Sequence, residues 1–158
     1  MARRPALMRA PSQDTYLLDV NVLIALAWPV HVHHTIAHDW FEKQGHLSWS
    51  TCPLTQLAFV RISSNAKIIP GAVSPRAAVQ ALAEILALTG HVFWPDNLRV
   101  GNLPSFSSSA LVGHRQVTDA YLLELAKHHN GKLATLDTGL ADLLPPAERE
   151  QYVTFIGA

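Results

Sequence analysis

Asp19, Asp119 and Asp137 are the side chains of this chain best placed to do chemistry together. Asp19 closes the apolar run Tyr16-Leu-Leu and precedes Val20-Asn21-Val-Leu-Ile-Ala25, and Asp137 closes Lys132-Leu-Ala-Thr-Leu136. Asp119 follows Gly113-His-Arg-Gln-Val-Thr118 and opens a mostly apolar segment. An acid ahead of an apolar-periodic segment is commonly only a helix cap, and Asp19 alone reads that way. Three acids at one edge are different, because at about 4 Å each pair of carboxylates repels by roughly 4 kcal/mol at an effective dielectric near 20. Either a carboxyl takes up a proton, or a hard divalent cation sits among them; Mg2+ or Mn2+ favours such oxygen ligands and keeps waters for reaction. A carboxylate-held cation of that kind suits phosphodiester hydrolysis.

The elements that must bring these acids together alternate along the chain. Residues 15–19 read as a strand and Asn21 to Ala27 as a short helix stopped by Trp28-Pro29. His31 to Gly45 reads as an amphipathic helix with an Ile36, Trp40 and Phe41 stripe and Gly45 as its C-terminal cap. Leu47 to Thr51 forms a second strand, and Cys52-Pro53 opens a helix through Ile62 with Leu54, Leu57 and Ala58 in its apolar pattern. Ser74-Pro75 starts another helix running to Leu88-Thr-Gly90, and His91 to Trp94 is a third strand. Asp96 to Ser109 is a long connection, of a length that tends to be functional or mobile. Thr118 or a neighbour caps a helix carrying Asp119 in its first turn, Lys132 to Leu136 is the fourth strand, a helical turn precedes Pro145-Pro146, and Gln151 to Phe155 adds a last strand.

Strands alternating with helices imply an α/β fold, a three-layer α/β/α sandwich with a mainly parallel central sheet. In such sheets ligands gather at the carboxyl ends of the strands, where Asp19 and Asp137 both fall and which Asp119 can face. The length suits one domain, 14–158, behind a flexible N-terminal leader, 1–13.

Composition narrows the function classes. With 49% hydrophobic residues and one cysteine, Cys52, the chain offers no internal disulfide framework and no cysteine-based zinc site, which suits the cytoplasm. Its apolar runs are broken before membrane-spanning length, and Met1 to Ala10 lacks a signal-peptide core. Arg3, Arg4 and Arg9 hold three of the twelve basic residues, leaving residues 10–158 with nine basic against twelve acidic side chains, a net of −3. A broad non-specific nucleic-acid footprint does not fit that balance, although a few Arg and Lys beside a metal site can hold one strand. His34 and His38, one turn apart, have no acid between them in the HExxH manner and read as solvent- or partner-facing.

In order along the chain, Leu18-Asp19-Val-Asn21-Val-Leu-Ile-Ala25, Thr51-Cys-Pro-Leu-Thr55 with Phe59-Val-Arg61, Gly113-His-Arg-Gln-Val-Thr-Asp119-Ala-Tyr-Leu-Leu123 and Leu133-Ala-Thr-Leu-Asp137 resemble the PIN-domain ribonucleases, and within them the VapC-type toxins of bacterial toxin-antitoxin modules. The resemblance implies a Mg2+- or Mn2+-dependent endoribonuclease with Asp19, Asp119 and Asp137 on the metal. Asn21 and Thr135 would orient those acids. It also implies a cognate antitoxin that inserts a C-terminal segment, often with an Arg, into the acidic site, and a toxin homodimer.

Many relatives carry a glutamate after Pro-Leu-Thr, where this chain has Gln56. A glutamine adds no charge, so weaker or single metal occupancy is expected. Asp96 is a candidate compensating acid, its plainer role being to start a turn. Arg61, His114 and Arg115 are candidates for holding phosphate or base.

Two other readings compete. A catalytically weak or inactive PIN-like module would bind RNA or antitoxin without cutting, and an aspartate-based phosphatase would use Asp19-Val-Asn21 as a DxD-type motif, although its second acid is here an asparagine.

Overall fold

In the computed structural model, which describes residues 14–157, the sheet is built from five three- or four-residue strands. These are β1 (Tyr16–Leu18), β2 (Trp49–Thr51), β3 (His91–Phe93), β4 (Lys132–Thr135) and β5 (Val153–Phe155). Every pairing is parallel and the order is β3-β2-β1-β4-β5. The expected leader, 1–13, lies outside the described residues. Six helices connect the strands: α1 (Val20–Ala27), α2 (His34–Lys43), α3 (Pro53–Ser63), α4 (Pro75–Leu86), α5 (Val117–His128) and α6 (Pro146–Tyr152).

The alternation along each strand explains the layers. Leu17 and Leu133 pack with α5 through Ala120, Leu122, Leu123 and Ala126, while Leu18 and Ala134 pack with Trp49, Val22, Leu23 and Phe59 on the other face. Each face therefore has its own apolar core, as a parallel sheet buried on both sides requires. Together they form the expected three-layer sandwich. Trp40, read as part of an apolar stripe, is a core residue, with Tyr16 edge-on to it at 5.1 Å.

Several local expectations need correction. Gly45 does not cap α2 with a left-handed turn, because Gln44 holds the cap position and Gly45 opens a short 3-10 turn. Its missing side chain matters for packing: a Cβ there would lie 2.5 Å from the Trp40 ring. Gly90 does need its conformational freedom, with φ at +92° and the His46 carbonyl oxygen 2.3 Å from where a Cβ would sit. The last strand begins later than the expected Gln151, at Val153, because Gln151 and Tyr152 close α6. Pro146 is the first residue of α6, where a missing N–H does no harm. The connection 96–109 is not structureless either, since it contains 3-10 turns at Val100–Asn102 and Pro104–Ser107. Leu98, Leu103 and Phe106 pack it against α5 and its neighbours.

Among the described residues, no helix is long and apolar enough to cross a membrane.

Candidate active site

Asp19 follows β1 and caps α1, so the cap reading and the edge reading are both true of it. Its backbone N–H continues the β1–β4 pairing by donating to the Ala134 carbonyl at 2.9 Å. One carboxylate oxygen, Oδ1, accepts from the Val20 N–H at 2.7 Å, and the other, Oδ2, accepts from the Thr135 hydroxyl at 2.8 Å. Only 5% of the residue is exposed. Burial raises its pKa, the Thr135 and Val20 hydrogen bonds pull it back, and the charge of Asp137 pushes it up again.

Thr135 ends β4 and is completely buried. Having spent its hydrogen on Asp19, its hydroxyl accepts from the Asp137 N–H at 3.0 Å and from Asn21 Nδ2 at 3.4 Å. One donor and two acceptor positions are thereby all used. Asn21 Oδ1 accepts from the Leu136 N–H at 3.3 Å, so Asn21 ties the first turn of α1 to the turn after β4. That turn is closed by Asp137 itself, whose Oδ1 accepts from the Gly139 N–H at 2.8 Å. Thr135 is thus bonded to the Asp19 carboxylate and to the Asp137 backbone, while Asn21 reaches the acids only through the Thr135 hydroxyl and the Leu136 N–H.

Asp119 sits in the first turn of α5, half-buried. Burial, then Asp19, then Asp137 push its carboxyl up to about 7. The three aspartates consequently share one electrostatic environment at the carboxyl edge of the central strands. Among the described residues none of them is ion-paired with a Lys, Arg or His. Nor do any three His, Cys, Asp or Glu side chains there close into a ready metal cage. The carboxylates feel one another's charge, and among the described residues no hydrogen bond joins them.

Such a donor set fits a hard divalent cation, because Mg2+ is ordinarily held by one or two carboxylates with waters and substrate phosphate filling the remaining positions. Burial and mutual charge, which raise the Asp19 and Asp119 carboxyls, are what such a cation would offset.

The remaining candidates divide. Gln56 lies in the first turn of α3, beside the end of β2, and donates from Nε2 to Thr51 Oγ1 at 3.0 Å. Arg61, five residues on, projects about 140° round the helix axis from Gln56 and is exposed, so these two do not converge. His114 and Arg115 occupy the exposed 3-10 turn that leads directly into α5 and Asp119. Asp96 accepts from the Leu54 N–H at 3.0 Å, placing its charge at the start of α3, and the groups that sense it are Cys52 and Tyr121. His34 is half-buried, with Nδ1 2.7 Å from the Ala25 carbonyl oxygen and its ring against that of His38.

Glu124 was not foreseen. It is buried on α5 and accepts from both the N–H and the hydroxyl of Ser105, fastening the long connection to the helix that carries Asp119. A lone acid inside the apolar run Tyr121-Leu-Leu-Glu-Leu-Ala126 is the signal that marks it.

A parallel five-stranded sheet with acids gathered at its carboxyl edge defines a class, and the family model for the PIN domain matches residues 16–143. The chain belongs to the PIN-domain family. Within it, the chain is 44% identical over 128 residues to Ribonuclease VapC39 of Mycobacterium tuberculosis, covering 81% of this chain and 92% of the relative. It is 43% identical to Ribonuclease VapC38 of the same organism, covering 80% and 88%. FitAcB from Neisseria gonorrhoeae has the same fold, with a TM-score of 0.62 at 18% identity over 87% of this chain and 95% of that one.

Proposed function

We propose that this protein is a divalent-metal-dependent endoribonuclease and the toxin of a toxin-antitoxin pair. The observation that carries the reading is the acidic edge of Asp19, Asp119 and Asp137, which no basic side chain among the described residues pairs with. The Ribonuclease VapC relatives support it. Mg2+ or Mn2+ bound by the three aspartates supplies Lewis acidity toward a phosphodiester.

The chain's own residues do the rest. Thr135 and Val20 orient the Asp19 carboxylate, leaving each oxygen a further lone pair for a ligand. Asn21 holds the turn that presents Asp137. From the turn that leads into Asp119, Arg115 offers positive charge and His114 a ring N–H to the strand being cut. Asp119, with its carboxyl near neutrality, can hold a proton when no cation is present and release it when one arrives.

The partner is an antitoxin that lays a basic segment into the acidic edge and an apolar segment on the exposed Val30, Val32 and Ile68, beside Trp28. A homodimer in the cytoplasm is the expected working form. One observation favours a second reading: residue 56 is a neutral glutamine, where the resemblance to PIN-domain ribonucleases leads one to expect an acid, and this suits a module that binds RNA or antitoxin and cuts poorly.

Purified protein incubated with structured RNA and Mn2+, beside Asp19→Ala, decides between them. Cleavage by the wild type alone supports the enzyme, and equal cleavage by both reduces the signal to contamination. RNA binding by the wild type without cleavage supports the module.

A further inference from the structure

Gln56 is held from behind by two residues to which no role has yet been given. Its Nε2 donates to Thr51 Oγ1 at 3.0 Å, and that same oxygen lies 2.7 Å from His91 Nε2. Thr51 ends β2 and is fully buried, while His91 begins β3 with its ring against Trp49 at a centroid distance of 4.7 Å. The three side chains make a short polar line running from the interior of the sheet to the first turn of α3. Gln56 follows the carboxyl end of β2, which pairs in parallel with β1 just before Asp19, so the line ends on the same edge of the sheet as that acid without touching it.

The polarity of this line follows from counting hydrogens. A threonine hydroxyl has one hydrogen to donate. With the Gln56 amide donating into Thr51, that hydrogen has one acceptor among the described residues, His91 Nε2. His91 must then be neutral, carrying its hydrogen on Nδ1. Burial, which lowers its pKa, favours the neutral ring. The alternative tautomer would leave a completely buried O–H without an acceptor, a penalty of the kind buried polar groups avoid.

With Nε2 spent on Thr51, the amide's other end is Oε1, which accepts no hydrogen bond among the described residues. A glutamate at this position would meet the oxygen of a Thr51 hydroxyl whose hydrogen points away. It would be accommodated only if Thr51 turned its O–H and His91 moved its hydrogen to Nε2. Glutamine and this Thr51–His91 pair therefore belong together.

We propose that Thr51 and His91 are positioning residues that clamp the Gln56 amide so that Oε1 is presented as the acceptor for an O–H donor of the reaction, the attacking water or a ribose 2′-hydroxyl. This rests on the ribonuclease reading and deepens it. Gln56 then contributes direction where a carboxylate would contribute charge.

The test uses the full chain as wild type, Thr51→Val, Thr51→Ser and His91→Phe, the last keeping an aromatic ring on Trp49 without Nε2. Side-chain NMR of 15N-labelled protein reads the clamp without reference to activity. The Gln56 NH2 pair should be displaced from free-amide positions in the wild type and in Thr51→Ser, and return to them in Thr51→Val, with His91 in its Nδ1–H form. In Mn2+, kcat/KM should fall about tenfold in Thr51→Val and His91→Phe, the worth of one oriented hydrogen bond, and recover in Thr51→Ser.

A fall in kcat at constant KM assigns the donor as water. A rise in KM that disappears when the RNA is 2′-deoxy at the cut position assigns it as the 2′-hydroxyl. Thr51→Ser as impaired as Thr51→Val, or a Gln56 amide unmoved by Thr51→Val, overturns the positioning. If the wild type cuts no RNA, the ribonuclease reading falls and takes the catalytic half of the proposal with it, while the amide resonances still decide whether the clamp exists.

Discussion

The hydroxyl of Thr135 donates to Asp19 Oδ2 at 2.8 Å across a separation of 116 residues, and the same oxygen accepts from the Asp137 backbone. One small side chain at the end of β4 therefore orients one acid and positions the next. Removing that hydroxyl in Thr135→Val leaves a buried carboxylate short of a donor, which is expected to destabilise the fold by about 1–3 kcal/mol. Thr135→Ser keeps the donor and should stay close to wild type in both thermal stability and Mn2+ affinity. Denaturant melts and metal titration of the two variants check this.

Replacing the acids separates function from stability. Asp19→Asn, Asp119→Asn and Asp137→Asn are each expected to abolish most RNA cleavage, because each removes a charge that the cation needs. Asp119→Asn should nevertheless raise the metal-free melting temperature at neutral pH, since it deletes a carboxylate that burial and two neighbouring acids disfavour. Melting temperatures in EDTA plotted against cleavage rates in Mn2+ for the three variants read this directly.

The pH dependence has a definite sign. Asp119 has a folded pKa near 7 against an ordinary carboxylate value, and that of Asp19 is raised as well, so the folded state binds more protons than the unfolded state between the two values. The stability contributed by these protons is present at acid pH and lost as pH rises through the folded pKa. Mn2+ takes over their neutralising role, so the rise in melting temperature on adding Mn2+ should grow from about pH 5 to about pH 8. A flat response would show that the acids do not share the ion.

Adding an acid at Gln56 should act in two directions. Gln56→Glu supplies a further oxygen ligand and is expected to tighten Mn2+ binding, measured by calorimetry, while lowering metal-free stability through added repulsion. It should also move the His91 hydrogen to Nε2, visible in the imidazole 15N shifts.

The clasp between α5 and the long connection can be opened by itself. Glu124→Ala strips the Ser105 N–H and hydroxyl of their buried acceptor, and hydrogen exchange should show residues 99–112 losing protection ahead of the sheet. Stability is expected to drop by roughly 2–3 kcal/mol.

Much of the fold was legible because its signals are local. The apolar runs ending at Leu18, Thr51, Phe93 and Thr135 announce strands, and Ser74-Pro75 announces α4, whose Ser74 hydroxyl accepts from the Ala77 N–H at 3.1 Å as a cap should. Where the reading failed, a residue type with two uses was assigned the wrong one. Gly45, read as a helix cap, is small to admit Trp40. Asp96 reaches across 42 residues to the start of α3, a contact that no turn propensity encodes.

The sequence by itself determined that this is an alternating α/β chain with aspartates at strand ends, because hydrophobic periodicity and chain-terminating signals act over a few residues. Tertiary structure alone decided which polar groups meet. Strand order sets β1 beside β4 and β2 beside β3, and this adjacency puts Thr135 on Asp19 and His91 on Thr51. Burial then turns those meetings into chemistry, since a carboxylate pressed against apolar cores and like charges changes its proton affinity only once the chain has closed around it.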